Sequence, residues 1–91
     1  MSNRITHVRM SAETDSAEHI VRVKGTNSNG NWENSVPEVV SYLKTGNYSF
    51  YVHAANRSIN VTHQKSAAGN EYIKTEPDNT KRDNLLSLPR F

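Results

Sequence analysis

Four histidines, one tryptophan and a few basic side chains carry whatever chemistry this chain offers beyond packing. His7, His19, His53 and His63 are imidazoles able to ligate a metal or move a proton near neutral pH. A zinc site needs three or four ligands converging at roughly 2.0 to 2.2 Å, and the sequence contains neither a His-x-His nor a His-Glu-x-x-His spacing. No metal or other cofactor is expected, and strand-surface imidazoles are the simpler reading. Hydrolysis could draw on Asp78, Asp83 and a histidine, since a general base must reach water or substrate by a hydrogen bond. Asp78, however, lies in a Pro-Asp turn, and Asp83, two residues before Leu85, fits the N-cap of a short final turn. No Gly-x-Ser-x-Gly elbow or Gly-rich phosphate loop is present. A small hydrolase is thus the weakest functional reading, and the chain is expected not to be an enzyme.

Two binding readings stand above it. Arg9, Arg22 and Lys24 fall where alternating strand residues share one face, and Lys74 from a later strand extends the same set. Such a face can lie against phosphates while Trp32, Tyr48 or Tyr51 stacks on bases. The charge balance gives this only weak support: eleven Lys and Arg against nine Asp and Glu leave a formal charge of +2, and Glu13, Asp15 and Glu18 stand beside the basic stretch. Protein contact is the broader reading. Trp32, alone in a polar stretch, suits either an interface anchor or a side chain folded back on its own core, and an open sheet edge suits strand addition or a homodimer. A non-enzymatic binding module with a protein partner is the leading expectation, with a nucleic-acid-binding domain as the alternative.

The elements that must position these residues are short. Ninety-one residues form one small domain, residues 1 to 91, which buries only roughly 60 to 65% of its unfolded surface. Leu, Ile, Val and Phe total 18 of 91, near the level below which disorder sets in, but the low net charge and the periodic apolar runs favour a fold. Arg4 to Met10 and His19 to Lys24 read as strands, with Val8 and Met10 sharing the face of Val21 and Val23. Ile5, His7 and Arg9 then join Arg22 and Lys24 opposite. Gly25 to Asn34, GTNSNGNWEN, reads as a loop holding Trp32.

Ser35-Val36-Pro37-Glu38 matches a capping box with proline in the first turn, and Val36, Val39, Val40 and Leu43 make one apolar stripe ending before Gly46. A helix of about ten residues follows from this pattern. Tyr48 to Ala54 and Ser58 to His63 read as a hairpin. Phe50 and Val52 face Ile59 and Val61 only if paired residue numbers sum to an odd value, which demands an even-length loop; a three-residue connection through Ala55-Asn56-Arg57 would instead put Tyr51 and His53 on the face of Ile59 and Val61. Glu71 to Thr75 is a last strand.

The expected fold is α+β: about five mostly antiparallel strands in ββαβββ order, with one short helix on one face. Three of the chain's four leucines, Leu85, Leu86 and Leu88, crowd into DNLLSLPRF, and they are expected to dock on the core. The absence of cysteine, of an apolar leader and of any run near 18 apolar residues points to a cytoplasmic protein with no membrane partner.

ITHVRM, HIVRV, TGNYSFYV, YIKT, the Pro77-Asp78 turn and DNLLSLP, in this order, resemble a small bacterial family of domains of unknown function, also carried by phages and mobile elements. The most specific part is the Tyr-Ile-Lys-Thr to Asp-Asn-Leu-Leu-x-Leu-Pro stretch. The chain departs from the family in NSNGNWEN, where other members often have a shorter loop. The resemblance implies the boundaries and the fold but no activity, and its distribution implies an inhibitor or accessory protein of phage or mobile-element origin.

Overall fold

A computed structural model describes residues 2–12, 16–54, 56–76 and 84–91. Six strands form one sheet: β1 (Ser2–Met10), β2 (Ile20–Asn27), β3 (Gly30–Ser35), β4 (Ser49–Ala54), β5 (Arg57–Lys65) and β6 (Glu71–Thr75). Among the described residues one helix, α1 (Val36–Thr45), follows β3, and two short 3-10 turns lie at Ala17–His19 and Asn84–Ser87. The order across the sheet is β3-β2-β1-β4-β5-β6. It is mixed, because β1 and β4 run parallel across Ser2 to Arg4 while the other pairs are antiparallel.

The fold therefore has one strand more than expected and a parallel pair at its centre. The extra strand is β3, drawn from the stretch read as a loop. β2 continues through Gly25 and Asn27, turns at Ser28 and Asn29, and returns with Trp32 opposite Gly25. Asn and Gly disfavour strands on average, but strand preference depends mostly on what a residue packs against, and pairing along β2 outweighs composition here.

The face assignment of β1 and β2 also needs correction. Ile5 pairs with Gly25 but His7 with Lys24, so Thr6 is an extra residue on β1; Arg9 pairs with Arg22 but Met10 with Ile20, so Val21 is an extra residue on β2. Each bulge shifts the alternation by one. Ile5 consequently faces the core with Val8, and Ile20 rather than Val21 joins Val23 inside, leaving Val21 exposed.

The β4–β5 hairpin has the odd-sum register, Val52 opposite Ile59 and Tyr51 opposite Asn60, with Ala54 opposite Arg57 at its end. Asn56, with φ of 64°, supplies the left-handed backbone this tight turn requires. β5 is long enough to serve twice: its first half pairs β4 and its second half pairs β6. The sheet coils so that β6 reaches α1 and the 3-10 turn preceding β2.

α1 forms as its sequence dictates. Ser35 Oγ accepts from the Glu38 N–H at 3.4 Å, and the Glu38 carboxylate accepts from the Ser35 N–H at 2.8 Å. Those contacts, the backbone one first, hold the Glu38 pKa below its ordinary value. A carboxylate shifted this way contributes fully above its unfolded pKa and loses that contribution as pH falls through the folded value, so the cap is intact at neutral pH. Gly46, at φ 77°, closes the far end. Ser35→Ala is expected to lower stability by about 1 kcal/mol, seen as a fall of roughly 4 to 8 °C in Tm; an unchanged Tm would show that the cap contributes nothing.

Val36, Val39 and Val40 of α1 pack on Ile5, Val8, Ile20, Val23, Phe50, Val52, Ile59, Val61 and Ile73, and Leu85 and Leu86 belong to the same cluster. Leu88 packs at its margin.

Candidate functional site

Between the two bulges, four cationic or titratable side chains stand on the outer face of the β1–β2 pair. His7 stands opposite Lys24 and Arg9 opposite Arg22, so all four share the side away from the valine core. Lys74 does not join them. It projects from the outer side of β6, with β4 and β5 lying between that strand and β1 in the sheet order.

Each member of the group is engaged. The Arg22 guanidinium meets the Glu33 carboxylate of β3 at 2.7 Å, both side chains well exposed. Arg9 and Lys24 lie over the ring of Phe91, 4.8 and 4.7 Å from its centroid, and the His7 ring meets Phe91 edge-on at 6.5 Å. Arg9 Nε also donates to the Phe91 carbonyl at 2.8 Å. Thr6, the bulged residue, bonds both the Lys24 carbonyl and His7 Nδ1, which orients that imidazole.

Backbone pairing holds Phe91 there. β4 covers β1 only across Ser2 to Arg4. Farther along the same edge the Val8 N–H donates to the Pro89 carbonyl at 3.0 Å, and the Phe91 N–H donates to the Val8 carbonyl at 3.2 Å, a parallel bridge centred on Arg90. A cation–aromatic cluster assembled from residues 7, 9, 24 and 91 leaves no local spacing by which the seat could be read.

Trp32 sits on edge strand β3 rather than in a loop, half-buried, its ring 5.5 Å from that of Phe50. Its Nε1–H is buried with no hydrogen-bond partner among the described residues. An indole donor left in this way is costly, roughly 1 to 3 kcal/mol. Beside it runs a groove of about 620 Å³ lined by Thr6, His7, Lys24, Gly25, Thr26, Asn31, Trp32 and Glu33. On its other side Trp32 joins Tyr42, Tyr48 and Phe50 around a smaller cavity of about 130 Å³.

Among the remaining residues singled out above, Ser35 and Glu38 form the helix cap, and Leu85 and Leu86 are buried. Asp78 and Asp83, and with them the proposed turn cap, lie outside the described residues. His19 contacts Ser11, His53 is exposed on β4, and His63 pairs opposite Ile73. Among the described residues no three acidic or histidine side chains gather around a common point, and no helix is long and apolar enough to cross a membrane.

Fold and surface together define a small α+β domain: a coiled six-stranded mixed sheet with one helix inside and a cationic outer face that seats one of its own aromatic side chains. The chain belongs to a family of proteins of unknown function, DUF3892, whose model matches residues 4–89. No curated protein and no solved structure matches it.

Proposed function

We propose that this chain is a non-enzymatic binding module acting through protein contacts, with an inhibitor or accessory role of phage or mobile-element origin as the setting its family resemblance suggests. The observation that carries this reading is Trp32. Among the described residues it lies on a strand that pairs only β2, half-buried beside an open groove. Strand addition along β3 would supply backbone hydrogen bonds, and the groove would take alternate side chains of the partner.

The basic face supports nucleic-acid binding less well. Arg22 is paired to Glu33, and Arg9 and Lys24 are laid over an aromatic ring, which reduces what they offer to phosphates. Co-purification from native cells with and without nuclease separates the two readings. A nuclease-resistant, stoichiometric protein is expected. Trp32→Ala should reduce its capture at least tenfold, and Trp32→Phe, which keeps the ring but not the donor, should fall between. Capture undiminished by Trp32→Ala sinks the anchor role. Oligonucleotide retention that disappears in the Arg22→Glu, Lys24→Glu variant would establish the nucleic-acid reading instead.

A further inference from the structure

The seat of Phe91 has the features of a peptide-binding site filled from within. Its backbone component is the stretch of β1 edge that β4 leaves uncovered, where Val8 turns its N–H and C=O away from β2. Three consecutive residues satisfy it: the first offers a carbonyl, the third an N–H. The first need not have an N–H of its own, and Pro89 stands there. The middle residue is unconstrained by the seat, since the Arg90 side chain folds back onto the Leu86 and Leu88 carbonyls. The third carries a ring approached by a guanidinium and an ammonium and met by an imidazole edge, contacts that favour an aromatic residue there.

The occupant is also joined to the domain in a way that allows it to leave. Leu85 and Leu86 are buried in the core and hold the segment nearby. Beyond them, Pro89 and Arg90 are exposed and Phe91 is half-buried. The hydrogen bonds and cation–π contacts of the seat lie at an edge that water or a competing strand can reach, whereas the two leucines are buried. The last three residues are therefore the part of the segment that a competitor can displace while the leucines stay docked.

We infer that the β1 edge around Val8, with Arg9, Lys24 and His7, is a recognition site for an extended peptide segment of a partner protein carrying an aromatic residue two positions after its first contact, and that Pro89 to Phe91 occupies this site in cis. The site uses the β1 edge rather than the β3 edge; it shares His7 and Lys24 with the groove beside Trp32, and Val8 and Arg9, which do not line that groove, tell the two apart. The cis segment acts as a tethered competitor. A partner must displace it, so affinity in trans rises when the ring is removed.

The test uses the full chain, wild type and Phe91→Ala, titrated with a labelled peptide of sequence Leu-Ser-Leu-Pro-Arg-Phe. Phe91→Ala should bind the peptide at least tenfold more tightly than wild type, with amide shifts centred on His7, Val8, Arg9 and Lys24. Adding Arg9→Gln to Phe91→Ala, or changing the peptide phenylalanine to alanine, should remove that gain. Equal binding to wild type and Phe91→Ala, or shifts centred on β3, overturns the proposal. Loss of cooperative unfolding in Phe91→Ala would also overturn it, because the ring would then be part of the core. A wild-type chain that runs as a dimer dissociated by this peptide would assign the site to a second copy.

Discussion

Gly25→Ala is expected to cost at least about 3 kcal/mol, the upper part of the range for inserting atoms into a packed interior. The added Cβ would stand 1.7 Å from the Arg4 carbonyl oxygen, 2.8 Å from its carbon and 3.0 Å from the Ile5 Cα. All three are backbone atoms, so no rotamer change relieves the clash. The strands themselves must separate, beside the Thr6 bulge and where β1 is also paired to β4. At roughly 4 to 8 °C per kcal/mol for a domain of this size, a fall in Tm of more than ~12 °C follows. A melt within ~2 °C of wild type would show that β1 and β2 do not approach this closely.

Leu85→Ala ranks next. Leu85 is fully buried, and truncating a leucine in such a position costs about 2 to 5 kcal/mol depending on how far the surroundings collapse. The analogous change at half-buried Leu88 should cost clearly less. Removing residues 85 to 91 altogether withdraws two buried leucines, worth roughly 1.5 to 3 kcal/mol each, together with the pairing at Val8. Native domains have only about 0.05 to 0.15 kcal/mol of stability per residue, so the shortened chain should lose its cooperative transition in urea. A truncated chain that melts as sharply as the full one would mean that the leucines rest on the domain without supporting it.

Local signals in the sequence reached the elements that local chemistry controls. The helix is legible because Ser35, Pro37, Glu38 and Gly46 each act within a turn of their own position. The β4–β5 register is legible because two pairs of apolar residues can face one another in only one parity. β3 is not, because Gly30 to Ser35 carries almost no apolar pattern and becomes a strand only through its neighbour. Nor are the bulges at Thr6 and Val21: an apolar spacing of three, Ile5 to Val8 or Ile20 to Val23, has no strand reading until the extra residue is located.

The site divides along the same line. The shared face of Arg9, Arg22 and Lys24 follows from alternation within two adjacent strands. Alternation also groups Lys74 with them, because it carries no information on how many strands stand between. Phe91 comes to Arg9 from 82 residues away, a separation that no periodicity spans.

The two bulges also have a combined effect. One lies on each strand of the same pair, and paired numbers sum to 30 before the first, to 31 across the three pairs between them, and to 30 again at Met10 and Ile20. The misalignment opened by Thr6 is closed by Val21, like two compensating frameshifts in a reading frame. The neighbouring strands therefore meet a hairpin whose two ends agree in phase, and only the short window carrying His7, Arg9, Arg22 and Lys24 is out of step.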